Sequence, residues 1–422
     1  MAFAAPATVL DGRHPLIVHS HLRWDFVWQR PQQLLSRFAQ SRAVLYVEEP
    51  IFADDVAVAS LDVSQPSPGV YRVVPRLPAD MRASYDDSAE RVRELLVELL
   101  GEGGKLAGKF DDAVQWFYTP MPAPAMLGAF DEVGVAYDCM DELAQFRFAH
   151  PDLGRRERLL MDAADVVFTG GHKLYESKSR FHPNVHFFGC GVDCVHFAKA
   201  SDPRTPIPCE IGTLREAGAL VAGYYGVIDE RLDYDLIARV AASDPNLHVV
   251  MIGPTAKIDP ATLPRHPNLR WLGARPYEAL PGCVRGFDVC LMPFALNEAT
   301  EYINPTKTLE YMAAGKPIVS TAVADVVRNF APVVKIACDA ETFVRDVLHE
   351  ARNAEPDRIA AGMACAHKSS WEAVVHAMND VLAETIEMSY RVRLKRMKRE
   401  AAQAKDGSEW AGVGLVPTTA TA

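Results

Sequence analysis

The feature of this chain that most limits its fold is a repeated alternation of short apolar runs with helix-like segments. Two series occur, and the helix patterns lie at 28–39, 88–100 and 155–164 in the first and at 233–242, 277–280, 305–314 and 340–351 in the second. The apolar runs are 16–21, 43–49, 70–75, 113–118, 134–140, 165–170 and 185–191, then 220–226, 247–253, 269–273, 289–294, 317–321 and 333–337. Continuous apolar runs between helices are typical of buried parallel strands. The pattern therefore predicts an α/β protein with two Rossmann-like, doubly wound domains.

The segment 199–210 separates the two series, because Pro203, Pro206 and Pro208 interrupt any periodicity there. The length of 422 residues also exceeds one ordinary hydrophobic core. We expect an N-terminal domain at 1–200, a C-terminal domain at 211–370, a helix with a basic extension at 371–405 and a disordered tail at 406–422. Doubly wound sheets bind ligands beyond the carboxyl ends of their strands, so a cleft between the domains is the expected site.

Composition excludes several classes of protein. The formal net charge of −11 argues against general nucleic-acid binding. The eight cysteines form no C-x-x-C pair, which favours free thiols in a reducing compartment over zinc binding. The first dozen residues lack a basic start before an apolar run, and no apolar run reaches about 18 residues. A cytoplasmic location is expected.

One short helix carries marked ends and an unusual charge. Asn304 is a good N-cap, Pro305 suits the first helical position, and Gly315 suits the position after the last turn. Lys307 then falls in the first turn, where the helix dipole disfavours a cation unless an anion shares the site. Glu310 lies on the same face one turn later. The pattern fits a phosphate-binding helix, although an ordinary surface helix with a lysine–glutamate pair would also explain it.

Several segments, in order, resemble the GT-B glycosyltransferases, in particular the retaining "group 1" branch of bacterial polysaccharide enzymes. The run 305–317 (PTKTLEYMAAGKP) resembles the donor-site motif of that family. Further similar segments are 28–34 (WQRPQQL), 137–142 (YDCMDE), 164–168 (ADVVF), 191–193 (GVD) and 223–233, so the resemblance covers roughly residues 15–385. It implies two Rossmann-like domains that face each other across a cleft, with a C-terminal helix that crosses back to the N-terminal domain.

The resemblance also implies roles for individual residues. Lys307 would contact the donor diphosphate, and Glu310 would accept hydrogen bonds from the ribose hydroxyls. The turn at Gly226 would approach the diphosphate, and Gly253 would lie near the base. The full set of implied donor contacts is Gly226, Val227, Arg231, Gly253, Pro254, Asn304, Thr306, Lys307 and Glu310.

The chain departs from the family pattern in two places. The branch usually has two glutamates eight positions apart, but Tyr302 stands where the first is expected. The contact to the donor sugar is therefore assigned to Glu301, with Asn297 or Glu298 as the alternative. The usual Arg…Lys pair after the first strand of the donor domain is also unmatched, and Arg231 is the nearby cation.

The N-terminal domain is expected to supply acceptor contacts and any catalytic base. His19 and His21 lie at the end of the first strand and Arg30 in the next helix, while Asp138 and Asp141 come at the end of the strand 134–140 and just after it. A carboxylate at such a strand end suits an acceptor-orienting group or a base, and helix capping is its alternative role. Each histidine has burial in the core as its alternative. The predicted catalytic set is Asp138, Asp141, His21 and Glu301, with no metal ligand and no cofactor apart from the donor substrate.

A basic segment ends the chain. Its cations are Arg391, Arg393, Lys395, Arg396, Lys398 and Arg399, interleaved with apolar side chains. This arrangement suits peripheral contact with an anionic membrane, and a solvated helix end is the alternative.

Together these features predict a glycosyltransferase that moves a sugar from a nucleotide-diphosphate sugar to a glycan or lipid-linked acceptor in cell-surface polysaccharide synthesis. One alternative is a non-catalytic, transferase-like subunit of a glycan-synthesis complex. The displaced glutamate and the unmatched Arg…Lys pair favour this alternative. Another is a nucleotide-sugar 2-epimerase on the same fold. A dehydrogenase is disfavoured because no G-x-G-x-x-G follows any strand.

Overall fold

The N-terminal domain is a parallel sheet covered by helices. The computed structural model describes residues 14–146 and 149–409. The strands are β1 (Leu16–Ser20), β2 (Val44–Glu48), β3 (Ile51–Ala53), β4 (Ser60–Ser67), β5 (Val70–Pro78), β6 (Val114–Phe117), β7 (Gly134–Cys139), β8 (Val166–Thr169) and β9 (Val185–Phe187). The helices are α1 (Arg30–Phe38), α2 (Tyr85–Leu100), α3 (Ala123–Met126), α4 (Leu153–Ala163), α5 (His172–Lys178) and α6 (Cys194–Ala198). The strand order is β3-β5-β2-β1-β6-β7-β8-β9, and β4 pairs antiparallel with β5.

The C-terminal domain repeats this architecture. Its strands are β10 (Leu220–Tyr225), β11 (Leu247–Ile252), β12 (Leu269–Trp271), β13 (Val289–Met292), β14 (Ile318–Thr321) and β15 (Lys335–Ala337). Its helices are α7 (Cys209–Glu216), α8 (Tyr234–Ala242), α9 (Leu280–Arg285), α10 (Glu298–Glu301), α11 (Lys307–Ala313), α12 (Ala324–Phe330), α13 (Ala340–Asn353) and α14 (Pro356–His367). The order β12-β11-β10-β13-β14-β15 is parallel throughout.

The chain crosses between the domains twice. On the second crossing the backbone N–H of Val192 donates to the carbonyl of Ser369 at 2.8 Å, and α15 (Trp371–Glu409) begins directly afterwards. The side chains of Trp371, Met378 and Leu382 are buried in the core of the N-terminal domain. The C-terminal helix thus packs on the first domain, because its apolar stripe covers one face of that sheet.

Several parts of the fold differ from the sequence-based expectation, and the helices α3, α5, α6, α7, α12 and α14 were not predicted. Strands β3 and β4 were not predicted, because β4 is exposed over most of its length and lacks an apolar pattern. The tail predicted to be disordered at 406–422 starts too early, since residues 406–409 continue α15 and residues 410–422 lie outside the described residues. The described parts of the chain contain no helix with the length and apolar character needed to cross a bilayer.

Candidate functional site

A cleft of about 370 Å³ lies between the carboxyl ends of the two sheets. The N-terminal domain contributes the loop after β1, the end of β7 and the turns at Gly170 and Cys190. The C-terminal domain contributes the turns after β10, β11, β12 and β13 and the start of α11. All nine predicted donor contacts line this cleft, namely Gly226, Val227, Arg231, Gly253, Pro254, Asn304, Thr306, Lys307 and Glu310.

The side chain of Lys307 extends from the first turn of α11 across Gly226. A Cβ atom at Gly226 would lie 2.2 Å from Lys307 Cε, and the φ angle of Gly226 is +149°. The φ angle favours glycine at this position, and a larger residue would also have to displace the Lys307 side chain. Within residues 14–146 and 149–409, no hydrogen bond or ion pair engages the Lys307 ammonium group. Burial lowers the pKa of Lys307, while the nearby Glu310 opposes that shift. The arrangement places an unpaired cation in an enclosed cleft, which an anion would stabilise.

Glu310 lies one turn beyond Lys307 and is 6% exposed. Its Oε2 accepts a hydrogen bond from the Tyr225 hydroxyl at 2.7 Å. Burial raises the pKa of Glu310, while Lys307 and the Tyr225 hydroxyl oppose that shift. Since one carboxylate oxygen is held by Tyr225, the other can accept hydrogen bonds from a diol. Sequence reasoning missed Tyr225, because nothing local marks the last residue of a buried strand as a partner of α11.

The turns after β10 and β11 touch each other through their glycines. A Cβ atom at Gly253 would lie 1.7 Å from the carbonyl oxygen of Gly226, and the φ angle of Gly253 is also +149°. The two glycines therefore let the backbones of these turns pack directly against each other in the cleft wall.

Arg231 is less available than Lys307. Its guanidinium makes a bidentate ion pair with Asp229, with Nη2–Oδ2 at 2.7 Å and Nε–Oδ1 at 3.0 Å. The pair positions the guanidinium at the cleft but neutralises part of its charge. Phe146 of the other domain lies 5.9 Å from Arg231 and 4.2 Å from the Lys257 ammonium. Lys257 was not recognised in the sequence.

Asp141 is the one predicted catalytic residue that lines the cleft. Among the described residues it makes no side-chain hydrogen bond or ion pair. Burial raises its pKa, and the positive charges of Arg231 and Lys257 oppose that shift. A partly desolvated carboxylate with a raised pKa suits proton transfer or hydrogen bonding to an acceptor hydroxyl.

The structure places the other three predicted catalytic residues elsewhere. Asp138 is fully buried and pairs with Arg30 at 2.9 Å, so it orients that arginine and does not reach the cleft surface. Glu301 pairs with Lys173 at 2.6 Å, outside the cleft lining. His21 is also absent from the lining, and burial with a smaller effect of Lys257 lowers its pKa to about 4.

The predicted N-terminus of the helix that carries Lys307 is wrong. α11 begins at Lys307 with Thr306 as its N-cap, and Thr306 makes no side-chain capping bond. The Asn304 side chain instead donates to the Gly170 carbonyl of the other domain at 3.0 Å. The predicted C-terminus is right, because Gly315 has a φ angle of +67° and its N–H donates to the Met312 carbonyl.

Aromatic residues that line the same cleft were also missed. Trp28 and Tyr277 face each other across the domains with ring centroids 6.2 Å apart. Tyr277 stacks on His196 at 4.3 Å, and its hydroxyl accepts a hydrogen bond from Gln33 at 3.0 Å. No periodic signal marks these residues, since their proximity depends on the placement of both domains.

The basic C-terminal segment is part of α15, and the structure describes the side chains of some of its cations. Arg391 pairs with Glu387 one turn earlier in α15, and Lys395 is exposed. The side chains of Arg393, Arg396, Lys398 and Arg399 lie outside the described set. The predicted membrane contact stays a prediction. No group of three or more possible metal ligands occurs among the described residues.

Parts of the chain are similar in sequence to known glycosyltransferases. Residues 232–353 match a family model described as "Glycosyl transferases group 1". A 246-residue stretch is 25% identical to the putative teichuronic acid biosynthesis glycosyltransferase TuaH of Bacillus subtilis (strain 168), covering 54% of this chain and 60% of TuaH. The chain thus spans about 60% of the length of that relative.

Solved structures share the fold over most of the chain. A sucrose-phosphate synthase from Thermosynechococcus elongatus matches with a TM-score of 0.66 and 14% identity, covering 89% of this chain and all of the other. A trehalose-6-phosphate structure from E. coli with bound UDP-2-fluoro glucose matches with a TM-score of 0.64 and 14% identity, covering 87% and 99%. The predicted GT-B fold and the resemblance to group 1 glycosyltransferases are confirmed.

Proposed function

We propose that this protein is a glycosyltransferase that uses a nucleotide-diphosphate sugar as donor. The observation that carries the proposal is the pair formed by Lys307, an unpaired cation above the Gly226 backbone, and Glu310, a carboxylate one turn deeper. A cation and a carboxylate spaced in this way match a diphosphate followed by a ribose. Donor binding therefore takes place on the C-terminal side of the cleft.

Charge stabilisation is the main catalytic contribution in this proposal. When the bond between sugar and diphosphate breaks, negative charge grows on the leaving diphosphate. Lys307 and Arg231 lie at the cleft before the reaction, so they stabilise that charge without having to reorganise. Closing the cleft around both substrates excludes water and so limits hydrolysis of the donor.

Asp141 is proposed to orient the acceptor hydroxyl. It is the cleft-lining carboxylate that the N-terminal domain supplies after β7, and no side-chain partner in the described part of the chain occupies it. Its raised pKa favours a strong hydrogen bond to a hydroxyl group, because the desolvated carboxylate is a better proton acceptor.

The proposed donor is a nucleotide hexose, and the proposed acceptor is a cell-surface glycan or its lipid-linked precursor. The similarity to a protein described as a teichuronic acid biosynthesis glycosyltransferase supports this class of acceptor. The basic segment of α15 would bring the enzyme to an anionic membrane, where a lipid-linked acceptor would lie.

One observation favours a second candidate, a non-catalytic transferase-like subunit. Glu301, the residue assigned to the donor sugar, pairs with Lys173 and does not reach the cleft. A protein of this kind would bind a nucleotide without transferring a sugar.

Nucleotide binding and turnover separate these functions. We expect at least one of UDP, GDP, dTDP and ADP to raise the unfolding temperature, since binding to the folded state alone stabilises it. We also expect Lys307→Ala to weaken nucleoside diphosphate binding more than nucleoside binding in calorimetry. Lys335→Ala is the matched control, because Lys335 pairs with Glu355 on the surface of the same domain. No response to any nucleotide would contradict both functions, and binding without donor hydrolysis or transfer would favour the subunit.

A further inference from the structure

The segment that precedes the Lys307 helix is attached to the other domain. Asn304 donates from Nδ2 to the Gly170 carbonyl at 3.0 Å, and the Thr306 hydroxyl donates to Cys190 Sγ at 3.2 Å. Gly170 and Cys190 belong to the N-terminal domain and follow β8 and β9. Only Pro305 and Thr306 lie between Asn304 and Lys307, so a shift at this contact moves the first turn of α11.

A second attachment joins α5 to α12. The Asp325 carboxylate is 3% exposed, and its Oδ2 accepts the backbone N–H of His172 at 2.8 Å. The residue before His172 is Gly171, where a Cβ atom would lie 3.0 Å from Asp325 Oδ2 and 3.0 Å from the Tyr302 carbonyl oxygen. That spacing is tighter than ordinary contact, so the close approach of the domains depends on glycine at 171.

Two ion pairs flank these buried contacts. Lys173 pairs with Glu301 at 2.6 Å, and Arg328 pairs with Glu176 at 2.8 Å. All four side chains are substantially exposed, so each pair contributes little by itself. The partly buried hydrogen bonds of Asn304 and Asp325 are the stronger contacts, because an unpaired partner there would be partly shielded from water.

We propose that this set of contacts is an interdomain clasp that positions Lys307 and couples domain closure to binding of the donor diphosphate. The clasp consists of Gly170–Lys173 of the N-terminal domain against Glu301–Asn304 and Asp325 of the C-terminal domain. Asn304 and Asp325 are positioning residues, since neither needs to touch the reacting atoms. The proposal rests on the proposed function, because the ligand is the donor of that same site.

The coupling follows from the geometry. The cleft is complete only when Gly170 and Cys190 lie beside Asn304 and Lys307, so the closed arrangement is the one that binds diphosphate. A ligand that prefers the closed state shifts the protein towards that state. The factor by which the ligand favours closure equals the factor by which closure favours ligand binding. Weakening the clasp therefore lowers the closed fraction and reduces the apparent affinity by the same factor.

A pair of substitutions at one position tests this. Asp325→Ala leaves the His172 N–H without its acceptor, whereas Asp325→Asn keeps an oxygen of nearly the same position. We expect Asp325→Ala to weaken nucleoside diphosphate binding about tenfold in calorimetry, and Asp325→Asn to stay within about twofold of the unsubstituted protein. Small-angle scattering should give a larger radius of gyration for Asp325→Ala without ligand, which saturating nucleoside diphosphate reverses. Glu176→Ala is the control for loss of an exposed ion pair, and we expect it to change the affinity for nucleoside diphosphate by less than about twofold.

Equal affinities for Asp325→Ala and the unsubstituted protein would overturn the proposal, and so would an unchanged radius of gyration. If Asp325→Ala does not fold, Gly171→Ala takes its place, because the added methyl group separates the domains without removing a hydrogen bond. An unsubstituted protein that binds no nucleoside diphosphate would refute the proposed function. The radius of gyration without ligand would still decide whether the clasp holds the domains together.

Discussion

Gly226→Ala is the substitution that most directly tests the donor site. The new methyl group would lie 2.2 Å from Lys307 Cε and 2.6 Å from the Tyr224 hydroxyl oxygen. Lys307 is the flexible partner, so we expect it to move by about 1.2 Å, to the 3.4 Å at which ordinary contact begins. The change therefore displaces the ammonium group without altering its charge.

The expected loss of binding can be worked from that displacement. At an effective dielectric constant of about 20, moving an ammonium group from about 3 Å to about 4.2 Å from one phosphate charge costs about 1.6 kcal/mol. This corresponds to roughly fifteenfold in Kd. The methyl group also occupies space that the diphosphate needs, so the estimate is a lower bound for the total effect.

Backbone strain is a separate effect of the same substitution. The φ angle of +149° disfavours alanine by roughly 1–3 kcal/mol. For a domain of this size that lowers the unfolding temperature by about 6 °C, at about 3 °C per kcal/mol. Gly218→Ala is the matched control, because Gly218 has a φ angle of +74° and no atom within 4 Å of the added methyl group.

The assay is isothermal calorimetry with the nucleoside diphosphate that stabilises the protein most, beside thermal unfolding of both variants. We expect both variants to lose stability and only Gly226→Ala to lose affinity. If Gly226→Ala bound the diphosphate as tightly as Gly218→Ala, the assignment of Lys307 and the Gly226 turn to the diphosphate would be refuted.

Three further predictions concern the same cleft. Tyr225→Phe removes the hydrogen bond to Glu310 and should weaken ribonucleoside diphosphate binding about tenfold in calorimetry; an equal loss for the 2′-deoxy ligand would contradict a ribose contact. Burial raises the pKa of Asp141, so this carboxylate binds protons more tightly in the folded state than in the unfolded state. The free energy of unfolding therefore falls as the pH rises from the unfolded-state pKa to the folded-state pKa. Asp141→Asn should therefore raise the unfolding temperature at neutral pH but slow transfer, and an unchanged transfer rate would exclude Asp141 from acceptor binding. Nucleoside diphosphate should protect Cys190, which lines the cleft, from alkylation but not the exposed Cys209, as measured by mass spectrometry of labelled peptides.

Much of the fold could be predicted because its signals are local. Apolar runs such as that of β1 are buried at every position, and a parallel strand covered on both faces needs such a run. The end of α11 was readable for a similar reason, since the left-handed conformation of Gly315 is a property of one residue. The edge strand β4 could not be predicted from the sequence, because an exposed edge strand needs no apolar pattern.

All of the candidate donor contacts line the cleft, whereas only one member of the candidate catalytic set does. Lys307, Glu310 and Gly226 lie on turns and a helix whose positions follow from their own segments. Three candidates of the predicted catalytic set do not line the cleft, and ion pairs hold two of them elsewhere. Asp138 is paired with Arg30, Glu301 with Lys173, and His21 is absent from the lining.

The sequence by itself determined the two α/β series and predicted a cleft between them, and its family resemblance pointed to the glycines of the turns after β10 and β11. Only the tertiary structure decided which side chains meet. Asn304 has the features of a helix cap, yet it bonds to Gly170, 134 positions away, and Glu310 bonds to Tyr225, 85 positions away. The physical reason is that periodicity and φ preferences act over a few residues, whereas the partner of a buried polar group is whichever element the fold places beside it.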